Sequence, residues 1–236
     1  MTPQPDLARA IEARTAQLAQ ESVEPFHRDP FWYARYGEAR TRRFGDEDAV
    51  FHVRYLVQAL AQGAPSVMEG YARWLRTLLV SHGMCTQHLS QHFGWLQEAL
   101  ARAGLSGPEV RTVLASAQEA LRYLEGTAAV LGVGSESLAL HASRALGLAA
   151  DRALQAELQL QLSYLADALA ARRPELFLAH VRFYARFWPQ RGLGSVGYAQ
   201  ALQALQDALP SLPSAAAAAE ARALLTEALA SLRRKA

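Results

Sequence analysis

The chain has one cysteine, one lysine and three methionines among its 236 residues, and no run of apolar residues long enough to cross a membrane. Each scarcity excludes something. Cys85 alone cannot close an intramolecular disulfide and fits a reducing compartment. Lys and Arg together number 24 against 22 acidic residues, and the net charge of +2 is too small to build the field that a nucleic acid or a membrane surface needs. The dominance of Arg over Lys reads as the codon bias of a GC-rich genome. The first residues, MTPQPDLARAIEARTAQ, carry acids and no apolar core, so they do not read as a secretory signal. The expectation is a cytoplasmic protein that meets no nucleic acid and no membrane.

Catalytic signatures are equally scarce. No Glu is followed three residues on by His, as a di-iron carboxylate bundle requires, and no Gly-x-Ser-x-Gly elbow, phosphate-binding loop or dinucleotide fingerprint occurs. This argues against an enzyme.

Apolar residues make up 51% of the chain and recur at three- and four-residue spacing almost throughout. Strict alternation with β-branched residues is nowhere sustained, so the fold class is all-α. Pro, Gly and capping residues divide the sequence into about eleven helices, near 5 to 20, 31 to 43, 46 to 62, 66 to 81, 87 to 103, 108 to 125, 136 to 148, 151 to 172, 175 to 188, 195 to 209 and 214 to 234. Asp46 reads as a helix start, Gly132 to Ser135 as a break, and Thr86 as the cap of the helix after it.

The sequence also matches itself. Residues 54 to 100 align on residues 163 to 209 without a gap, at a constant offset of 109. Thirteen of these positions are identical, including Tyr55/Tyr164, Pro65/Pro174, Arg73/Arg182 and Gly83/Gly192, and aromatic or large apolar character persists at Trp74/Phe183 and Leu78/Phe187. The predicted organisation is a leading helix and linker over 1 to 29, a first helical repeat over 30 to 132 and a second over 133 to 236. Two duplicated bundles are expected to pack by a pseudo-twofold around one continuous core.

Four potential ligands fall within eleven residues of the first repeat: His82, Cys85, His88 and His92. His88 and His92 stand four apart on one helix face, the spacing a transition-metal or haem site would use, although solvated or locally hydrogen-bonded histidines are the default reading of such a cluster. The matched positions of the second repeat are Arg191, Gly194, Gly197 and Ala201, so the shared fold does not need these ligands. His52 lies on the inward stripe of its helix, and His180 stands beside Phe183 and Tyr184. Both are candidates to hold a haem or another tetrapyrrole, and equally satisfied core histidines. Trp32 and Tyr36, with Phe31 and Tyr33, could line a pocket for a flat ligand or plug the end of a bundle. Arg35, Arg40, Arg42 and Arg43 read as a solvated basic face partly paired with acids.

One resemblance runs through the first repeat. Arg35-Tyr36-Gly37-Glu38, His52-Val53-Arg54-Tyr55-Leu56, Pro65, Tyr71-Ala72-Arg73-Trp74 and Gly83 resemble the helical segment that precedes the cobalamin-binding domain in some bacterial sensory and regulatory proteins. The lower-ligand pattern Asp-x-His-x-x-Gly of the cobalamin domain is absent from this chain. The resemblance implies a sensory or regulatory setting. The expected function is a non-catalytic helical module that binds a small ligand or a protein partner, with a haem, tetrapyrrole or metal-binding protein as the alternative and an enzyme with a pocket between the repeats behind both.

Overall fold

A computed structural model describes residues 1–193 and 196–234, and no strand occurs among them. Twelve α-helices carry the chain: α1 (Pro5–Glu12), α2 (Thr15–Arg28), α3 (Pro30–Tyr36), α4 (Glu38–Gln62), α5 (Pro65–Ser81), α6 (Thr86–Arg102), α7 (Pro108–Ala120), α8 (Gly126–Ala145), α9 (Arg152–Ala170), α10 (Pro174–Phe187), α11 (Tyr198–Ala208) and α12 (Ala215–Arg233). The all-helical expectation holds. Gly194, matched to Cys85, and Ser195, at the predicted start of a helix, lie outside the described residues.

Helix starts follow proline chemistry. Pro5, Pro30, Pro65, Pro108 and Pro174 each open a helix, where the missing N–H has no intrahelical acceptor to lose. Several helices end on a left-handed residue. Gly63 (φ +63°) closes α4, whereas Arg172 (φ +53°) follows α9 in a conformation that costs a side chain with a Cβ.

Three predicted boundaries differ. The segment read as one helix over 5 to 20 is broken after Glu12, giving α1 and α2. Asp46 starts no helix: α4 runs unbroken from Glu38, and the break falls at Gly37 (φ +76°). Gly132 to Ser135 is not a break either, because α8 runs through it from the turn at Gly126. The interior glycines beside these two expected boundaries stand in close packing. A Cβ on Gly45 would stand 2.9 Å from Phe26, and one on Gly134 would stand 2.8 Å from Leu212.

The chain divides into two compact units, residues 1–78 with 87–121, and residues 79–86 with 122–236. In the first, α4 is the central element, and α1, α2, α3 and α7 pack on it. Ile11, Leu18, Phe31, Val53, Leu56, Phe93, Leu96 and Leu114 are all removed from solvent there, and each such side chain contributes roughly 1.5–3 kcal/mol. Arg14 and Arg76 donate to the helix-end carbonyls of Ala103 and Leu121, which tie α6 and α7 into this unit.

In the second unit α8 lies along α9, α11 and α12 pack on α8, and α10 packs on α9 and α12. Asp167 is its buried anion, 2% exposed. It accepts from the Thr86 N–H at 2.6 Å, from the Thr86 hydroxyl at 2.5 Å and from the Tyr123 hydroxyl at 2.6 Å. A buried carboxylate persists only when so satisfied. Thr86, expected to cap with its own side chain, here donates to an acid 81 residues away.

Candidate functional site

α4 and α5 set a polar core inside the first unit. His52 on α4 is buried, and its Nδ1 shares a 2.8 Å hydrogen bond with the hydroxyl of Tyr71 on α5. The Tyr71 ring stacks on Tyr55 at a centroid separation of 4.0 Å. His92 on α6 packs edge-on against His52 at 5.7 Å and against Phe26 at 5.2 Å. Burial, followed by the nearby His92, holds the His52 imidazole well below its ordinary range, and burial followed by His27 brings His92 down to about 4. Both rings are therefore neutral at physiological pH.

One acid adjoins this group. Asp48 stands one turn before His52 and makes no hydrogen bond or ion pair among the described residues. Burial, then the neighbouring Glu47, raises its carboxyl to about 6. Burial, then the Asp48 carboxylate and Tyr55, raise the Tyr71 phenol well above its usual range.

The second unit holds a comparable arrangement at positions offset by 109. Gln161, matched to His52, accepts from His180 Nε2 at 2.9 Å, and His180 is matched to Tyr71. His180 stacks on Tyr164 at 3.5 Å, as Tyr71 does on Tyr55. The Gln161 carbonyl also accepts from the Tyr198 hydroxyl at 2.7 Å, while its amide Nε2 has no partner among the described residues. Glu157, matched to Asp48, accepts from the Tyr184 hydroxyl and pairs with Arg191 at 3.1 Å. The Arg191 guanidinium stands over the rings of Phe187 and Tyr184, 5.0 and 5.9 Å from their centroids.

The predicted ligand residues are distributed as follows. His82 is exposed, with its Nδ1 against the Ser81 hydroxyl at 3.1 Å, and Cys85 is buried. Both belong to the second unit. His88 is buried in the first unit among the rings of Trp32 (4.6 Å) and Phe31 (5.5 Å). His92 is half-buried beside Trp95 and Phe26. No three His, Cys, Asp or Glu side chains among the described residues form a group that could hold a metal ion. Trp32 is 3% exposed and stacks on Phe26 at 4.3 Å, with Tyr36 stacked at 6.2 Å, so this aromatic run fills the unit's interior.

The basic face behaves as expected. Arg42 pairs with Glu38 and Arg43 with Glu47, both exposed i,i+4 pairs worth a few tenths of a kcal/mol. In the second unit an open groove of about 360 Å³ runs along Leu146, Gln200, Gln203 and Asp207. Its lining holds no set of convergent acid–base groups. No helix among the described residues is long and apolar enough to cross a membrane.

Sequence reasoning passed over Asp48, Glu157 and Arg191. The available signal was the offset itself, since an acid stands at 48 and again at 157.

The outer side of the same helices carries large exposed apolar residues. Phe51 on α4 is 45% exposed and Trp74 on α5 is 59% exposed. At the matched positions of the second unit, Leu160 is 6% exposed and Phe183 is partly covered. A scan against protein-family models, a search of curated proteins and a search of solved structures each give no match to this chain.

Proposed function

We propose that this protein is a non-catalytic, helical sensory or regulatory module built by duplication of one bundle, whose first copy binds a small ligand or a protein partner on the face formed by α4 and α5. Several agreements at the offset of 109 support the duplication. Pro65 and Pro174 both open a helix, positive φ recurs at 63 and 172 and at 83 and 192, and a buried polar pair with a ring stack recurs at 52, 55 and 71 and at 161, 164 and 180. Independent chance events would have to coincide at every one of these places. The resemblance of the first copy to the segment ahead of cobalamin domains supports the sensory setting.

The observation that carries the binding role is the exposure of Phe51 and Trp74. Isolated exposed apolar residues are ordinary, but two large exposed rings on α4 and α5, the helices that the Tyr55–Tyr71 stack joins, are the kind of side chain that binding partners cover. The second copy has leucine at 160 and keeps it buried, so the framework does not require this face.

A thermal-shift screen tests the reading. Compounds that raise the melting temperature of the wild-type chain should fail to raise that of a Phe51→Ser, Trp74→Ser variant, whose own melting temperature should lie within about 3 °C of wild type because both side chains start exposed. Equal shifts in the two proteins would place binding elsewhere.

A further inference from the structure

The two copies treat one carboxylate differently. In the second, Glu157 is matched by a guanidinium from the same chain: Arg191 pairs with it at 3.1 Å, lies over Phe187 and Tyr184, and donates from Nε to the Tyr184 hydroxyl at 2.9 Å. Carboxylate, phenol and aromatic faces together make a complete guanidinium receptor, because the planar cation is bonded at its edge and stacked on its face. In the first copy the carboxylate persists as Asp48. The positions matched to Tyr184, Phe187 and Arg191 are Leu75, Leu78 and His82, so neither the phenol nor the guanidinium is supplied. Asp48 has no ion pair or hydrogen bond among the described residues, although it is half-buried.

Nearby cations do not take its place. Arg43 pairs with Glu47, and the Arg54 guanidinium lies over the Phe51 ring at 5.9 Å. Aromatic rings are nevertheless at hand. Phe51 and Tyr55 follow Asp48 at i+3 and i+7 on one face of α4, Tyr55 stacks on Tyr71, and Tyr71 meets Trp74 at 6.2 Å.

We propose that Asp48, with the rings of Phe51, Tyr55 and Trp74, binds a guanidinium group from outside the chain, carried by a small molecule or by an arginine side chain of a partner peptide. This rests on the reading of the α4–α5 face as the binding face and gives that face its ligand chemistry. The second copy satisfies its acid internally and so has no such site.

The test is a titration of the full-length ¹⁵N-labelled chain, following the Trp74 indole N–H assigned with a Trp74→Phe variant. Three probes are compared: agmatine, its urea analogue 4-aminobutylurea, which keeps the ammonium and replaces only the guanidinium by a neutral group, and the peptide acetyl-Gly-Arg-Gly-amide. Agmatine and the peptide should shift the Trp74 signal saturably and 4-aminobutylurea should not. Asp48→Asn, checked for wild-type circular dichroism, should weaken both cations by roughly tenfold, the loss expected for a partly desolvated charge pair. Tighter binding of the peptide than of agmatine identifies a protein partner as the source, and the reverse order identifies a small molecule. Absence of any Trp74 shift with the two cations, or equal affinity in wild type and Asp48→Asn, overturns the proposal. If 4-aminobutylurea binds as well as agmatine and Phe51→Ser abolishes both, the aromatic face survives as a binding face and the guanidinium inference alone fails.

Discussion

Neutral imidazoles in the first unit give the chain a defined acid response. His92 has its pKa depressed to about 4 and His52 lies well below its ordinary value, both led by burial. In the unfolded chain these groups titrate near 6.5. A base with a depressed folded pKa contributes stability that is intact above the unfolded value and is lost as pH falls from there toward the folded value. Stability should therefore decline between about pH 6.5 and pH 4. The Asp48 carboxyl, raised to about 6, acts in the opposite direction, since its buried charge is relieved as pH falls through that value. His92→Ala places the second copy's residue, Ala201, in the first copy. It should flatten the decline by about 1–2 kcal/mol, allowing for the ring's partial exposure, at a cost of about 1–2 kcal/mol near pH 7.5 from lost packing. Urea unfolding at a series of pH values measures both, and an undiminished slope would show that His92 stays solvated. The burial of His52 was legible, because it falls in line with Leu56 and Ala59 on the inward stripe. Asp48 was not: a lone acid on a helix reads as solvated.

Two helix ends meet the same backbone demand with different residues. Gly63 and Arg172 occupy matched positions and both adopt positive φ. Glycine does so freely, whereas arginine pays the usual penalty of about 1 kcal/mol. Arg172→Gly should stabilise the protein by about 0.5–1 kcal/mol. Gly63→Ala should cost more than 1 kcal/mol, because its Cβ would fall 2.7 Å from the Met1 carbonyl oxygen and the Pro3 nitrogen. Chemical denaturation of the two variants checks the signs, and a destabilised Arg172→Gly would mean that the arginine side chain offsets its own strain. Proline-opened helices were readable from the sequence, since α5, α7 and α10 begin where Pro65, Pro108 and Pro174 announce them. One misplaced boundary arose where the capping residue Asp46 was taken as a helix start, the other where Gly132 to Ser135 was taken as punctuation. Gly45 and Gly134 stand inside helices where a Cβ would crowd the side chains of Phe26 and Leu212, a tertiary demand invisible in local sequence.

For the molecule as a whole, the repeat was legible in the sequence as aligned residues, and at the same offset stand the polar pairs His52–Tyr71 and Gln161–His180. Neither pair was legible beforehand, because the imidazole has changed sides: it stands on α4 in the first unit and on α10 in the second. Of the cluster read from spacing, His82 and Cys85 belong to the second unit and His88 and His92 to the first. In the first unit Asp48 has no ion pair among the described residues, and Phe51 and Trp74 are exposed on α4 and α5. The specialisation of one of two duplicated copies is the central proposal. Site-specific incorporation of the photo-crosslinker benzoylphenylalanine at position 74, and separately at the matched position 183, tests it most directly in cells that produce the protein. Irradiation should yield a discrete ligand or partner adduct from position 74, competed by agmatine, and none from position 183. Equal adducts from both positions, or none from position 74, would contradict it.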